Sequence, residues 1–152
     1  MMNEKVRLIR PAELEQLLAL YQHLNQDDPL LAIDHVLIDH WNEILADPNL
    51  YYFVIEEEGV LISSCTLTVI KNITRSARPY ALIENVICHP DHRKKGYARA
   101  VLHQAIYTAK ERGCYKIMLM TGRKDEGTMI FYEKVGFKKG EKTAFIMRFD
   151  QE

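Results

Sequence analysis

The segment that most constrains this chain runs from Ile83 to Arg112. Ile83-Glu84-Asn85-Val86-Ile87-Cys88 has the residue types of a strand. His89-Pro90-Asp91-His92-Arg93-Lys94-Lys95-Gly96 is a basic turn, and from Tyr97 onward apolar residues recur at helical spacing. A strand that passes through a glycine-containing turn into a helix belongs to α/β architectures. The first N–H groups of a helix have no intrahelical partner and carry positive partial charge, so acidic residues are favoured there. Arg93, Lys94 and Lys95 reverse that preference. A bound anion such as a pyrophosphate resolves the conflict, with Gly96 admitting it close to the backbone and Ala98 keeping the next turn tight. The plainer alternative is a solvated basic turn.

A chain of 152 residues is long enough for one domain with a proper core and too short for two ordinary ones, so a single domain over residues 1–152 is expected. Hydrophobic residues at 47% and charged residues at 27% are the proportions of a globular chain without low-complexity segments. A net charge of −1 argues against a surface built for nucleic-acid phosphates. No apolar run approaches the roughly 20 residues that span a bilayer. Cys65, Cys88 and Cys114 are an odd number without close pairing, and no apolar signal core opens the chain, which leads us to expect a cytoplasmic protein.

Along the chain, Val6–Arg10 reads as a short strand ended by Pro11. Leu14, Leu17, Leu18, Tyr21 and Leu24 mark an amphipathic helix, and Ile33, Leu37, Trp41, Ile44 and Leu45 a second one closed by Asp47-Pro48. Tyr51–Glu56 and Val60–Lys71 are β-rich and joined by a turn at Glu57-Glu58-Gly59; a polar loop over 72–79 leads into a strand at Tyr80–Cys88. Tyr97–Arg112 is a helix stopped by Gly113, and Lys116–Met120 reads as a strand buried on both faces. Gly127–Val135 is a short helix before Gly136, and Thr143–Phe149 reads as a final strand.

Arg93-Lys94-Lys95-Gly96-Tyr97-Ala98 resembles the R/Q-x-x-G-x-G/A acetyl-CoA pyrophosphate loop of the GNAT superfamily of N-acetyltransferases. Ile130-Phe131-Tyr132-Glu133-Lys134-Val135-Gly136-Phe137 resembles that superfamily's C-terminal F-Y-E-K-x-G-F segment. The resemblance covers essentially the whole chain. It implies an α/β, single-domain GNAT fold, a mixed twisted sheet flanked by helices, and transfer of an acetyl group from acetyl-CoA to a primary amine by direct attack.

It also implies roles for particular residues. The backbone of Val86, Ile87 and Cys88 would pair with the pantetheine arm, and a backbone N–H there would polarise the thioester carbonyl. Arg93, Lys94, Lys95, Gly96, Tyr97 and Ala98 would hold the pyrophosphate, with Asp125 and Phe131 as further cofactor contacts. Asp125 and Thr128 stand where many members carry Asn and Ala. Glu84 is the candidate general base; period-two alternation puts it on the face of Val86, and burial inside the strand would raise its pKa. The alternative is a glutamate held by a nearby Arg or Lys. Tyr132 is the candidate general acid toward the coenzyme A thiolate, or an aromatic packing its helix.

Cys88-His89-Pro90-Asp91-His92 lacks a C-x-x-C pair and offers poor zinc spacing, so no metal is expected. Cys88 reads as a small buried hydrophobe rather than a nucleophile. For the acceptor, Lys71, Arg75 and Arg78 favour a phosphate or carboxylate, whereas Asp27, Asp28, Asp34 and Asp39 favour a cation. From Leu67 through Ile117 the chain is similar to glucosamine-6-phosphate N-acetyltransferases, with Asn85 where those enzymes commonly have a second acidic residue. A small-molecule amine is the expected acceptor, and a protein or peptide amine or a non-catalytic acetyl-CoA-binding regulatory module are the alternatives. The resemblance permits a homodimer.

Overall fold

The computed structural model describes residues 5–150, which fall into two compact units, one of residues up to Leu119 and one from Met120 onward. The first is built on a five-stranded sheet of order β1-β2-β3-β4-β5. Its strands are β1 (Val6–Leu8), β2 (Leu50–Glu57), β3 (Val60–Ile70), β4 (Tyr80–Cys88) and β5 (Ile117–Leu119). β1 to β4 pair antiparallel, and β4 pairs parallel with β5, so the sheet is mixed. The β2–β3 hairpin turns through Glu58 and Gly59, both with positive φ, as a two-residue loop requires.

Helices cover both faces. α1 (Leu14–Tyr21) buries Leu14, Leu17 and Leu20 in a cluster with Val54, Leu61 and Ile87, each contributing roughly 1.5–3 kcal/mol. α2 (His35–Ala46) adds Trp41, whose Nε1 donates to the Pro11 carbonyl at 3.0 Å. The start of α1 is fixed by Glu13, which is 6% exposed. Arg7 donates to both its oxygens at 2.8 Å, and the Arg10 N–H donates to it at 2.7 Å. On the opposite face, α3 (Tyr97–Glu111) packs through Val101, Leu102, Ala105 and Ala109, and the Val101 carbonyl accepts from the Cys65 thiol.

Two expectations are corrected in this unit. β1 ends at Leu8 rather than Arg10, because Arg10 is drawn into the helical turn Pro11–Glu13. β5 is half-buried rather than enclosed, because among the described residues it is the outermost strand of this sheet and pairs only with β4. The loop between β3 and β4 holds a left-handed turn, with Arg75, Ser76 and Ala77 at φ 55, 63 and 57.

The second unit contains α4 (Glu126–Val135), capped at its start by Asp125 and ended by Gly136 at φ 125. Thr143–Phe149 is not a strand. Phe145 is 93% exposed and Phe149 90%, and no other strand lies in this unit among the described residues. β-propensity without a partner to hydrogen-bond forms no ladder.

Candidate functional site

β4 is the strand on which the site depends, and its pairing is interrupted where the candidate base lies. Thr66 pairs with Glu84 and Ser64 with Ile87, so β4 carries one extra residue between these pairs. Asn85 absorbs it at φ 55, a β-bulge without glycine. The bulge resets the alternation: Glu84 shares a face with Ile87, not with Val86 as period two predicts. That face is the one α1 covers, since Ile87 packs in the Leu17 and Leu20 cluster. Both Glu84 and Asn85 are exposed, so the burial expected inside the strand is absent. Among the described residues no Lys or Arg lies within ion-pair distance of Glu84, so the structural-pair alternative finds no partner either.

β5 pairs with β4 only over Ala81–Ile83. Beyond Ile83, the β4 edge from Glu84 to Cys88 has no strand beside it among the described residues, leaving backbone donors and acceptors available to an extended ligand. The Cys88 thiol donates to the His92 carbonyl at 3.4 Å, and burial pushes it up against the pull of Arg93 and Lys95. That is the opposite of what a thiolate nucleophile needs.

The basic turn follows directly. Lys94 and Gly96 adopt positive φ, 63 and 82, and Arg93, Lys94, Lys95 and Gly96 are all exposed. Gly96 caps α3 without a side-chain hydrogen bond, and the first turn of α3 has no acidic residue. A Cβ added at Gly96 would meet no atom within 4 Å, so the space before the helix start is open. Exposed cations, two left-handed residues and uncapped N–H groups form a cradle suited to phosphate oxygens. The Tyr97 hydroxyl donates to Glu57 at 3.0 Å, and Lys5 also binds Glu57, tying the helix start to the β2–β3 hairpin. Tyr97 therefore anchors the cradle through its side chain.

In the second unit, Asp125 accepts from the Thr128 N–H at 3.0 Å and from the Arg123 Nε at 3.0 Å, and the Thr128 hydroxyl also bonds to it. These contacts hold its pKa below the usual carboxylate range, the Thr128 hydroxyl first among them. Tyr132 is half-buried, with its ring edge-on to Phe131 at 5.1 Å and to Phe137 at 6.3 Å.

Two groups escaped the sequence reading. His23 stacks edge-on with His89 at 4.5 Å, and His89 with His92 at 5.6 Å, joining the end of α1 to the turn after β4. Their separation in sequence gave no signal. The hydroxyls of Tyr21, Ser64 and Thr66 are buried without hydrogen-bond partners among the described residues. Thr66 and Asn85 lie beside the Tyr21 hydroxyl without reaching hydrogen-bonding geometry, and burial pushes Tyr21 up to about 12. Buried polar groups are normally satisfied, so these hydroxyls beside the bulge are suited to a polar ligand or water. Among the described residues no His, Cys, Asp or Glu group is arranged to hold a metal ion, and no helix is long and apolar enough to cross a membrane.

Lys71, Arg75 and Arg78 lie on the loop before β4, as expected, whereas the basic turn follows the end of that strand. Arg78 precedes Tyr80, which is four residues, about 13 Å of strand, before Glu84.

Comparison with known proteins agrees with this geometry. Residues 15–137 match the acetyltransferase (GNAT) family. A glucosamine 6-phosphate N-acetyltransferase from Trypanosoma brucei brucei is 27% identical over 91% of both chains. A solved structure of a putative acetyltransferase from Agrobacterium tumefaciens superposes with a TM-score of 0.89 at 43% identity, covering 95% of this chain and 99% of that one. An aminoglycoside N-acetyltransferase solved with CoA shares the fold at 18% identity and a TM-score of 0.73, over 95% of this chain and 98% of that one. The chain belongs to the GNAT acetyltransferase family, as an acetyl-CoA-dependent N-acetyltransferase.

Proposed function

We propose that the chain acetylates a primary amine on a small molecule by direct transfer from acetyl-CoA, with no acetyl-enzyme stage. The observation that carries this reading is the uncapped, acid-free start of α3 immediately after a bulged strand with an open edge. Acetyl-CoA supplies the acetyl group as a thioester. Arg93, Lys94 and Lys95 neutralise the pyrophosphate while the backbone N–H groups of Gly96, Tyr97 and Ala98 bind its oxygens. Val86, Ile87 and Cys88 hold the pantetheine arm through their backbone, and a backbone N–H in that stretch polarises the carbonyl. Asp125 and Phe131 are retained as cofactor contacts on the resemblance alone.

Glu84, exposed to solvent, accepts the proton lost by the amine, directly or through water, as nitrogen bonds to the acetyl carbon and the carbon–sulfur bond breaks. Tyr132 is retained as the proton donor to the departing thiolate on the resemblance alone. The raised Cys88 thiol supports direct transfer over a cysteine-bound stage. Similarity over 91% of both chains to an enzyme acting on glucosamine 6-phosphate makes that amino sugar the first acceptor to assay.

The test is acetyl-CoA-dependent thiol release with glucosamine 6-phosphate, polyamines, aminoglycosides and peptide amines. Glu84→Gln is expected to lower kcat by roughly 10²- to 10⁴-fold while acetyl-CoA still raises the unfolding temperature. Unchanged turnover removes Glu84 from the mechanism. Turnover with peptide amines alone overturns the small-molecule assignment, and acetyl-CoA binding without release on any amine favours a non-catalytic binding module.

A further inference from the structure

We propose a second anion site at the far end of the sheet, taking a phosphorylated small molecule and separate from the reaction centre. A cavity of about 470 Å3 lies there, within the size range of small-molecule sites. Val69, Ile73, Ala77 and Pro79 give it apolar walls, and Lys71 and Arg112 supply charge. Arg75 and Arg78 flank it, their guanidinium groups 6.0 and 5.6 Å from the Tyr115 ring centre, and Lys116 lies 5.3 Å from the same ring.

None of these five cations has a carboxylate within ion-pair distance among the described residues. Arg112 donates to the Pro48 carbonyl, the Tyr51 hydroxyl and the Asn49 side chain. Those bonds fix its plane and leave part of its five-donor capacity unused. Nearby acids are otherwise placed: Asp47 accepts from the Asn49 N–H at 2.8 Å, and Glu111 is exposed on α3. Lys71 and Arg112 thus line one cavity, and Arg75 and Arg78 stand on the loop that walls it, with the Arg78 Nε donating to the Arg75 carbonyl at 2.9 Å. Like charges held together repel unless an anion joins them. Arginine forks beside an apolar wall suit a phosphate attached to an organic body.

Two geometric facts separate this cavity from the basic turn and from Glu84. Arg112 follows the end of α3 and Gly96 precedes its start, a helix length of about 24 Å between them. Val69 alternates with Leu67 and Cys65, which face α3, whereas Glu84 pairs with Thr66 on the face that α1 covers. The loop that carries Arg75 and Arg78 turns left-handed at Arg75, Ser76 and Ala77, with φ 55, 63 and 57.

Inorganic pyrophosphate, titrated into ¹⁵N-labelled protein at constant ionic strength, tests the site without reference to activity. The expected result is saturable change at the amides of Lys71, Asn72, Ile73, Ala77 and Arg112, alongside any change at Gly96–Ala98. Lys71→Glu/Arg78→Glu should weaken the first set about tenfold or more, as loss of hydrogen bonds to charged groups predicts, and leave the Gly96–Ala98 set unmoved. Should that variant fail to give a dispersed spectrum, Lys71→Gln/Arg78→Gln carries the comparison. Change confined to Gly96–Ala98, linear change reproduced by sodium chloride, or equal affinity in the variant would overturn the proposal.

Discussion

The helix starts of this molecule divide into those that hold a carboxylate of their own and one that does not. α1 has Glu13 at its N-cap and Glu15 in its first turn, Asp34 accepts from the Leu37 N–H at the start of α2, and Asp125 accepts from the Thr128 N–H at the start of α4. α3 begins at Gly96 with no side-chain cap and no acid in its first turn, behind Arg93, Lys94 and Lys95. All four expose the same unsatisfied N–H groups. A start that supplies its own anion is a structural joint; a start that withholds one and gathers cations is prepared for an anion from outside. The contrast supports the proposed placement of the cofactor's phosphates at α3 on physical grounds independent of any motif.

The comparison can be broken or sharpened by exchanging these features. The largest effect is expected from Arg93→Glu/Lys95→Glu, which should weaken acetyl-CoA binding about tenfold or more in low-salt calorimetry, with little change in unfolding temperature because both side chains are exposed. Retained affinity would assign the cradle to backbone groups alone.

Glu13→Gln should cost about 1–3 kcal/mol at neutral pH, since Glu13 is buried and bonded to Arg7. Arg7 holds the Glu13 pKa below its ordinary value, so the parent's advantage is fully present above the unfolded-chain value of about 4.3 and is lost as pH falls through the folded value. Urea unfolding at pH 7 and pH 3 should therefore show the gap closing in acid. A constant gap would mean the loss is one of packing rather than charge.

Asp125→Ala should have the smallest effect, about 1 kcal/mol of stability from a lost cap, read as a lowering of a few degrees. The acetyl-CoA-induced shift should also shrink if Asp125 touches the cofactor as proposed, and an unchanged shift would remove Asp125 from the cofactor contacts.

Proline and glycine punctuation made much of the fold legible. Pro79 and the His89-Pro90 turn bracket β4, Glu58-Gly59 marks the hairpin, and Gly113 and Gly136 end their helices. The basic turn was legible because its charge contradicts the helix dipole. The bulge was not, since Asn85 takes a positive φ without the glycine that would announce it, and so Glu84 was assigned to the wrong face and the wrong exposure. Thr143–Phe149 has the composition of a strand, and composition cannot supply a neighbouring strand.

The central claim, that the open start of α3 binds the pyrophosphate of acetyl-CoA, is tested most directly by thermal unfolding of the parent and of Gly96→Asp with and without acetyl-CoA. A Cβ at Gly96 meets no atom within 4 Å, so the added carboxylate projects into the open space at the cost of a left-handed φ of +82. At about 100 times Kd, acetyl-CoA should stabilise the parent by about 2.7 kcal/mol, a shift of several degrees, and should leave the folded variant unmoved. An equal shift in both proteins, or none in a folded parent at high ligand concentration, would contradict the account.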